Sequence, residues 1–278
     1  MTMTFRDKLH EILRNPSGSL LERGRLARLL RSDLSVFVVN SGNWAKFPKL
    51  TLNSANDFPT LLSKLIQAEE ISFENFERTF PESDNSKKLS SLFDSFGSDK
   101  SSHGYERIYA NIFENWKSDE EFQLLEIGVG TNSPGLISSM GRNGKPGASL
   151  RAFSEYSAKI HVTGADIDRQ ILFNSERINC FFLDQNRLRT YYELSDEAKI
   201  GAFDLIIDDG LHSTSANINS LIFAQTHLSI DGYLIIEDIP DRSIPAWQIV
   251  VSILRSKGHE IIITKALKCN VVIFRKKH

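Results

Sequence analysis

Two short acidic stretches carry residues that could do chemistry together. Asp208, Asp209, Gly210, Leu211 and His212 close an apolar run that starts at Phe203, and Glu237 and Asp238 close another that starts at Tyr233. Apolar runs of this length bounded by turn residues read as buried strands. A helical pattern from about 214 to 228 separates them, so they are expected to be parallel neighbours about 5 Å apart. Asp209, Glu237 and Asp238 then converge on one point. Carboxylates that close raise one another's pKa, and a divalent cation relieves the repulsion. An all-oxygen set favours a hard ion, Mg²⁺ ahead of Ca²⁺ or Mn²⁺. His212, just beyond a turn-forming glycine, can take a proton at neutral pH. Asp208 either faces a cofactor or supports the loop, and both aspartates could instead cap the helix that follows.

A second constellation lies upstream. LLEIGVGTNSPG puts Glu126, Gly128 and Gly130 at the end of another strand-like run. Glycine there lets the backbone turn tightly and approach a ligand. As a dinucleotide fingerprint the stretch fails, because its sixth position is Ser133 and a Gly- and Pro-rich segment delays the next helix to about Ser149. GADID ends in Asp166, which could accept from ribose hydroxyls. FFLDQ ends in Asp184 and Gln185, which could read an adenine. Together these ends favour a nucleoside cofactor without pyrophosphate, S-adenosylmethionine, over NAD.

The elements that must hold these residues alternate. Helical patterns at 105–116, 149–156, 187–195, 214–228 and 245–257 interleave with strand patterns at 122–127, 160–166, 178–183, 203–208 and 233–236. Alternation of this kind predicts an α/β fold, a Rossmann-like and mostly parallel sheet with helices on both faces. Two last strand patterns, 260–265 and 270–276, are joined by about four residues, too few for a crossover, so they form an antiparallel hairpin. That is the arrangement of class I methyltransferases. Residues 1–95 differ: helical patterns at 5–14, 19–31, 59–69, 72–80 and 87–96 and a strand-like run at 34–40 suggest a mainly helical auxiliary region, either a lid or an assembly element. The expected domains are 1–95 and 96–278.

Composition narrows the classes. The chain has 278 residues, 41% of them hydrophobic, and a formal charge of −2, so a sizeable core is expected and no nucleic-acid or membrane-binding surface is indicated. No apolar run reaches the ~20 residues that span a bilayer, and the N-terminal pattern is not a secretory signal. Cys180 and Cys269 sit in apolar runs and read as buried thiols of a reducing compartment. A cytoplasmic protein is expected.

On LLEIGVG, GASLRAF, GADID, IIDDGLH and IIEDI, in that order over about residues 95 to 240, the sequence resembles the Mg²⁺-dependent sugar O-methyltransferases that finish macrolide antibiotics. The resemblance implies Asp209, Glu237 and Asp238 as metal ligands and His212 as general base. It implies that Glu126, Gly128 and Gly130 line the S-adenosylmethionine site, with Asp166 on the ribose. The stretch SDKSSHGYERIY also resembles a family segment, which implies that Lys100, His103 and Tyr105 cover the cofactor or reach the substrate. A loop that caps the next helix is the other reading of that stretch. A hydroxyl of a sugar-containing small molecule as acceptor and a homo-oligomer are implied as well. Two rivals are an NAD-dependent sugar oxidoreductase, which needs the missing fingerprint, and a non-catalytic cofactor-binding subunit, which has no use for an acid trio beside His212.

Overall fold

In the computed structural model the described residues are 59, 60, 62, 73–117, 119–136 and 138–277. The patterns expected at 5–14, 19–31 and 34–40, and most of the one at 59–69, lie outside them. The chain divides into two compact units, Met1–Ile66 and Gln67–His278. The expected boundary at residue 95 falls inside the second of these units. Phe76, Leu89 and Phe93 sit in the core of the second unit.

That unit opens with α1 (Phe76–Thr79), α2 (Asp84–Phe96), α3 (Lys100–His103) and α4 (Tyr105–Glu114). The expected helix at 72–80 shrinks to α1 because Glu74 pairs with Thr264 as a β-bridge. Ser83 starts α2 with a reciprocal capping box, and Gly97 ends it in the left-handed region. Then follow β1 (Phe122–Ile127), α5 (Ala148–Tyr156), β2 (Ile160–Asp166), β3 (Ile178–Phe182), α6 (Leu188–Ala198), β4 (Phe203–Asp208) and α7 (Thr214–His227). The chain closes with β5 (Leu228–Ile239), a 3₁₀ turn (Asp241–Ser243), α8 (Ile244–Ser256), β6 (Glu260–Lys265) and β7 (Asn270–Arg275).

The seven strands form one sheet in the order β3-β2-β1-β4-β5-β7-β6. The first four pairings are parallel, while β7 runs antiparallel to both β5 and β6. The expected hairpin is there, with β7 inserted between β5 and β6. β5 begins earlier than the pattern indicated, at Leu228, and Asp231 takes a positive φ of 65° within it. Side chains alternate across the sheet. Leu124, Leu205, Ile207 and Ile235 join the core layer that also holds Leu89, Phe93, Tyr109 and Phe153. Leu125, Ile127, Ile206, Leu234 and Ile236 join the opposite layer, with Tyr191, Phe223 and Trp247. A sheet covered on both faces explains strands that read as continuous apolar runs. Both cysteines are free and half-buried, and Cys269 lies in the turn before β7 rather than within a strand. Among the described residues, no helix is long and apolar enough to cross a membrane.

Candidate active site

A cavity of about 720 Å³ opens at the carboxyl edge of the sheet, where open α/β folds bind ligands. Its wall includes Gly128, Gly130, Asp184, Asp209, His212 and Asp238. The segment 97–105 borders it as well, bringing Lys100, His103 and Tyr105 to its edge.

The turn after β1 is held by its neighbours. Gly128 N donates to Ala165 O at 2.8 Å, and Asp209 N donates to Ile127 O at 2.8 Å. Asp166 lies under this turn: Oδ2 accepts from Val129 N at 2.9 Å and Gly130 N at 3.3 Å, while Oδ1 accepts from Asp168 N at 2.8 Å. Burial raises its pKa. Asp166 was expected on a ribose. It lines the cavity, and its two oxygens hold backbone N–H groups. Asp184 lines the cavity too and accepts from Asn186 N at 3.1 Å.

Asp208 and Gln185, two further expected cofactor contacts, are hydrogen-bonded to each other at the strand ends. Asp208 is fully buried and accepts from Gln185 Nε2 at 2.7 Å and Asn217 Nδ2 at 3.0 Å. Gln185 Oε1 accepts from Leu211 N at 2.6 Å. The alternation of β4 gives the reason: Asp208 shares the face of Ile206, whereas Asp209 follows Ile207. The Gln185 amide ties the end of β3 to the 208–211 loop, and Gln185 also lines the cavity. Nor does either aspartate cap α7, since Ser213 Oγ accepts from Ala216 N.

The carboxylates that share the other face meet a cation from within the chain. Glu126, Asp209 and Glu237 end the adjacent strands β1, β4 and β5. Lys100 Nζ lies 3.2 Å from Glu126 Oε1, 2.7 Å from Asp209 Oδ2 and 2.5 Å from Glu237 Oε2. Tyr109 donates its hydroxyl to Glu237 Oε1, and Ser149 Oγ donates to Glu126 Oε2 at 2.8 Å. Lys100 is only 2% exposed and Glu237 1%. Burial pulls the Lys100 ammonium down, but Asp209, Glu237 and Glu126 reverse this and hold it well above the usual lysine range. Burial pushes Glu237 well up and Glu126 up. Glu126, expected at the cofactor, lies fully buried near the end of β1.

Asp238 diverges from Glu237, as consecutive strand residues do. With a φ of 52° it turns to the cavity, where Tyr105 Oη donates to Oδ1 at 2.6 Å and the Cys269 thiol donates as well. His212, with a φ of 49°, places Nε2 3.9 Å from Asp209 Oδ1, and its Nδ1 has no partner among the described residues. Asp209, His212 and Asp238 each offer a ligand atom, all within 4.8 Å of one another. Of the expected ligands, Asp209 and Asp238 lie beside His212, and Glu237 lies against Lys100 and Tyr109. Two carboxylates and an imidazole suit a divalent cation. His103 stacks on Tyr105 at 5.3 Å and forms a second such group with Asp238 and Cys269.

Sequence reasoning missed Tyr109, Ser149, Asn217 and Cys269. Only Tyr109 left a signal, four residues after Tyr105 and so on the same helical face.

No family model matches the chain. It is 28% identical over 153 residues to the 8-demethyl-8-alpha-L-rhamnosyl tetracenomycin-C 2'-O-methyltransferase of Streptomyces olivaceus, a match that covers 55% of this chain and 38% of that protein. It is 29% identical over 137 residues to the demethylmacrocin O-methyltransferase of Streptomyces fradiae, covering 49% of this chain and 32% of that protein. The chain thus matches about a third of the length of these curated relatives. Both are named O-methyltransferases, in line with the resemblance drawn from the motifs. Among solved structures, the MycE methyltransferase of the mycinamycin pathway in complex with Mg and SAH aligns with a TM-score of 0.55 and 20% identity, covering 69% of this chain and 55% of that one. The same enzyme with mycinamycin VI also bound aligns at 0.54 and 21%. The fold is that of the class I methyltransferases.

Proposed function

We propose that this chain is an S-adenosylmethionine-dependent O-methyltransferase that uses a divalent cation, Mg²⁺ first, and acts on a hydroxyl of a sugar-containing small molecule. One observation carries the reading: Asp209, His212 and Asp238 gather at the cavity that the Gly128–Gly130 turn also lines. The names of the two relatives support the reaction and the acceptor class. The cavity volume falls in the range for cofactor-sized ligands. Residues 128–130 and Asp184 also line the cavity and would border a nucleoside cofactor bound there.

Asp209 and Asp238 face the cavity with carboxylate oxygens that would hold a cation there. Bound there, the cation would lower the pKa of an acceptor hydroxyl. His212 takes the proton of that hydroxyl, a contribution of typically ~10²–10⁴-fold. The oxygen attacks the methyl group of S-adenosylmethionine, the methyl–sulfur bond breaks, and S-adenosylhomocysteine leaves. Tyr105 holds Asp238 in its cavity-facing rotamer through the 2.6 Å hydrogen bond. A second reading has His212 as a ligand of the cation, favoured by its nearness to both aspartates.

A thermal-shift series with S-adenosylmethionine, NAD and Mg²⁺, followed by a methyl-transfer assay on glycosylated acceptors, tests the proposal. Stabilisation by S-adenosylmethionine, increased by Mg²⁺, is expected. Stabilisation by NAD alone would overturn it in favour of an oxidoreductase. Binding with no transfer to any hydroxyl would favour a non-catalytic subunit. Assembly into a homo-oligomer belongs to the same proposal and is read by light scattering.

A further inference from the structure

We propose that Lys145 is a cofactor-recognition residue: its ammonium pairs with the carboxylate at the amino-acid end of S-adenosylmethionine. The inference rests on the cofactor proposed above and assigns it a contact in the long loop between β1 and α5.

The charges around the cavity are lopsided. Asp99, Asp166, Asp184, Asp209, Glu237 and Asp238 all line it. Two lysines line it as well, Lys100 and Lys145. Lys100 lies among Glu126, Asp209 and Glu237. Lys145 has no salt-bridge partner among the described residues. An acidic wall suits the sulfonium and the ammonium of S-adenosylmethionine and repels its carboxylate. That carboxylate needs a cationic donor, and a charge-assisted pair is the strong way to hold it. The backbone sets Lys145 beside the glycine turn. Gly144 O accepts from Asn132 Nδ2 at 2.9 Å, and Pro146 O accepts from Arg151 Nη1 at 2.8 Å. Gly147 N donates to Val129 O at 2.8 Å, within the turn that Gly128 and Gly130 flank. Lys145 therefore projects from a stretch whose neighbours on both sides are tied down. Its stem crosses Gly97 at the end of α2, where a Cβ would meet Cδ at 2.8 Å and Nζ at 2.9 Å. The missing side chain at Gly97 leaves the space that this lysine occupies at the cavity. Lys145 is exposed, so replacing it removes a charge without opening the core.

The test uses the full chain and the variants K145M and K145R. Isothermal titration compares S-adenosylmethionine with decarboxylated S-adenosylmethionine, which keeps the sulfonium and the amine and lacks the carboxylate alone. Wild type is expected to bind the intact cofactor at least fivefold more tightly than the decarboxylated one. K145M should bind the intact cofactor at least fivefold more weakly than wild type and the decarboxylated one within twofold of wild type, so that the preference disappears. K145R should keep the preference, because it keeps the charge. A K145M protein that retains the wild-type preference overturns the proposal. So does a K145M protein that loses both ligands alike, which would give the lysine a role in loop structure only. Unchanged cofactor binding with a raised KM for an anionic acceptor in K145M also overturns it and moves the lysine to the acceptor. If wild type binds neither nucleoside, the cofactor reading itself fails and this proposal falls with it; binding of both with the preference intact in K145M sinks this proposal alone.

Discussion

The carbonyl oxygen of Asp209 sits where a side chain on Gly128 would begin: a Cβ there would meet it at 2.1 Å. The β1 and β4 turns thus touch backbone to backbone, and the cavity wall depends on the absence of one carbon. Gly128 also has a φ of 98°, which other residues rarely adopt.

Gly128→Ala is therefore expected to lose about 3 kcal/mol of stability or more, from clash and backbone strain together. Chemical denaturation measures the loss, and titration with S-adenosylmethionine should show weakened binding in whatever fraction folds. A variant that keeps wild-type stability would show that the two turns can part without consequence.

Asp208 makes a different prediction from its neighbour. Because it receives hydrogen bonds from Gln185 and Asn217 inside the core, Asp208→Ala removes an acceptor from each of two buried amides. A loss of about 2–4 kcal/mol is expected. Asp209→Ala opens onto the cavity and should lose Mn²⁺ affinity in addition. Comparing urea midpoints and Mn²⁺ titrations of the two variants separates brace from ligand.

His212→Ala distinguishes the two roles considered for the imidazole. As a base, it would lower turnover by ~10²–10⁴-fold and leave Mn²⁺ and S-adenosylmethionine affinities near wild type. A parallel tenfold fall in Mn²⁺ affinity would assign it to the cation instead. Full activity would remove it from the mechanism.

Glu106 on α4 gives a pH-dependent prediction away from the cavity. Its Oε2 has no hydrogen-bond partner among the described residues, and burial first, then the charges of Asp94 and Glu82, pushes its pKa up to about 7. A carboxyl raised in the folded state favours folding fully below its ordinary value of 4.5, and that advantage is lost as pH rises through about 7. Glu106→Gln should therefore match wild type near pH ~5 and exceed it near pH ~8, by about 1–3 kcal/mol. Equal melting differences at the two pH values would show that the group does not titrate in this range.

The carboxyl-edge position of every acidic strand end was legible in the sequence. Apolar runs set the strands, helical patterns between them set parallel neighbours, and a short connection set the antiparallel hairpin. These follow from local periodicity and from the length a crossover needs. Periodicity also separates Asp208 from Asp209 by face, although it does not say which face holds the cavity. The partners of those residues are a tertiary matter. Lys100 reaches Asp209 across 109 residues and Glu237 across 137, and Gln185 reaches Asp208 from another strand end. A spacing of that size leaves no periodic signal, because contact is decided by which helix packs over which strand. The sequence by itself therefore determined that acids and an imidazole gather at one sheet edge. Only the tertiary structure decided that one of those acids, Glu237, is paired with a buried ammonium while Asp209 and Asp238 face the cavity with His212, since pairing depends on depth and direction rather than on order along the chain.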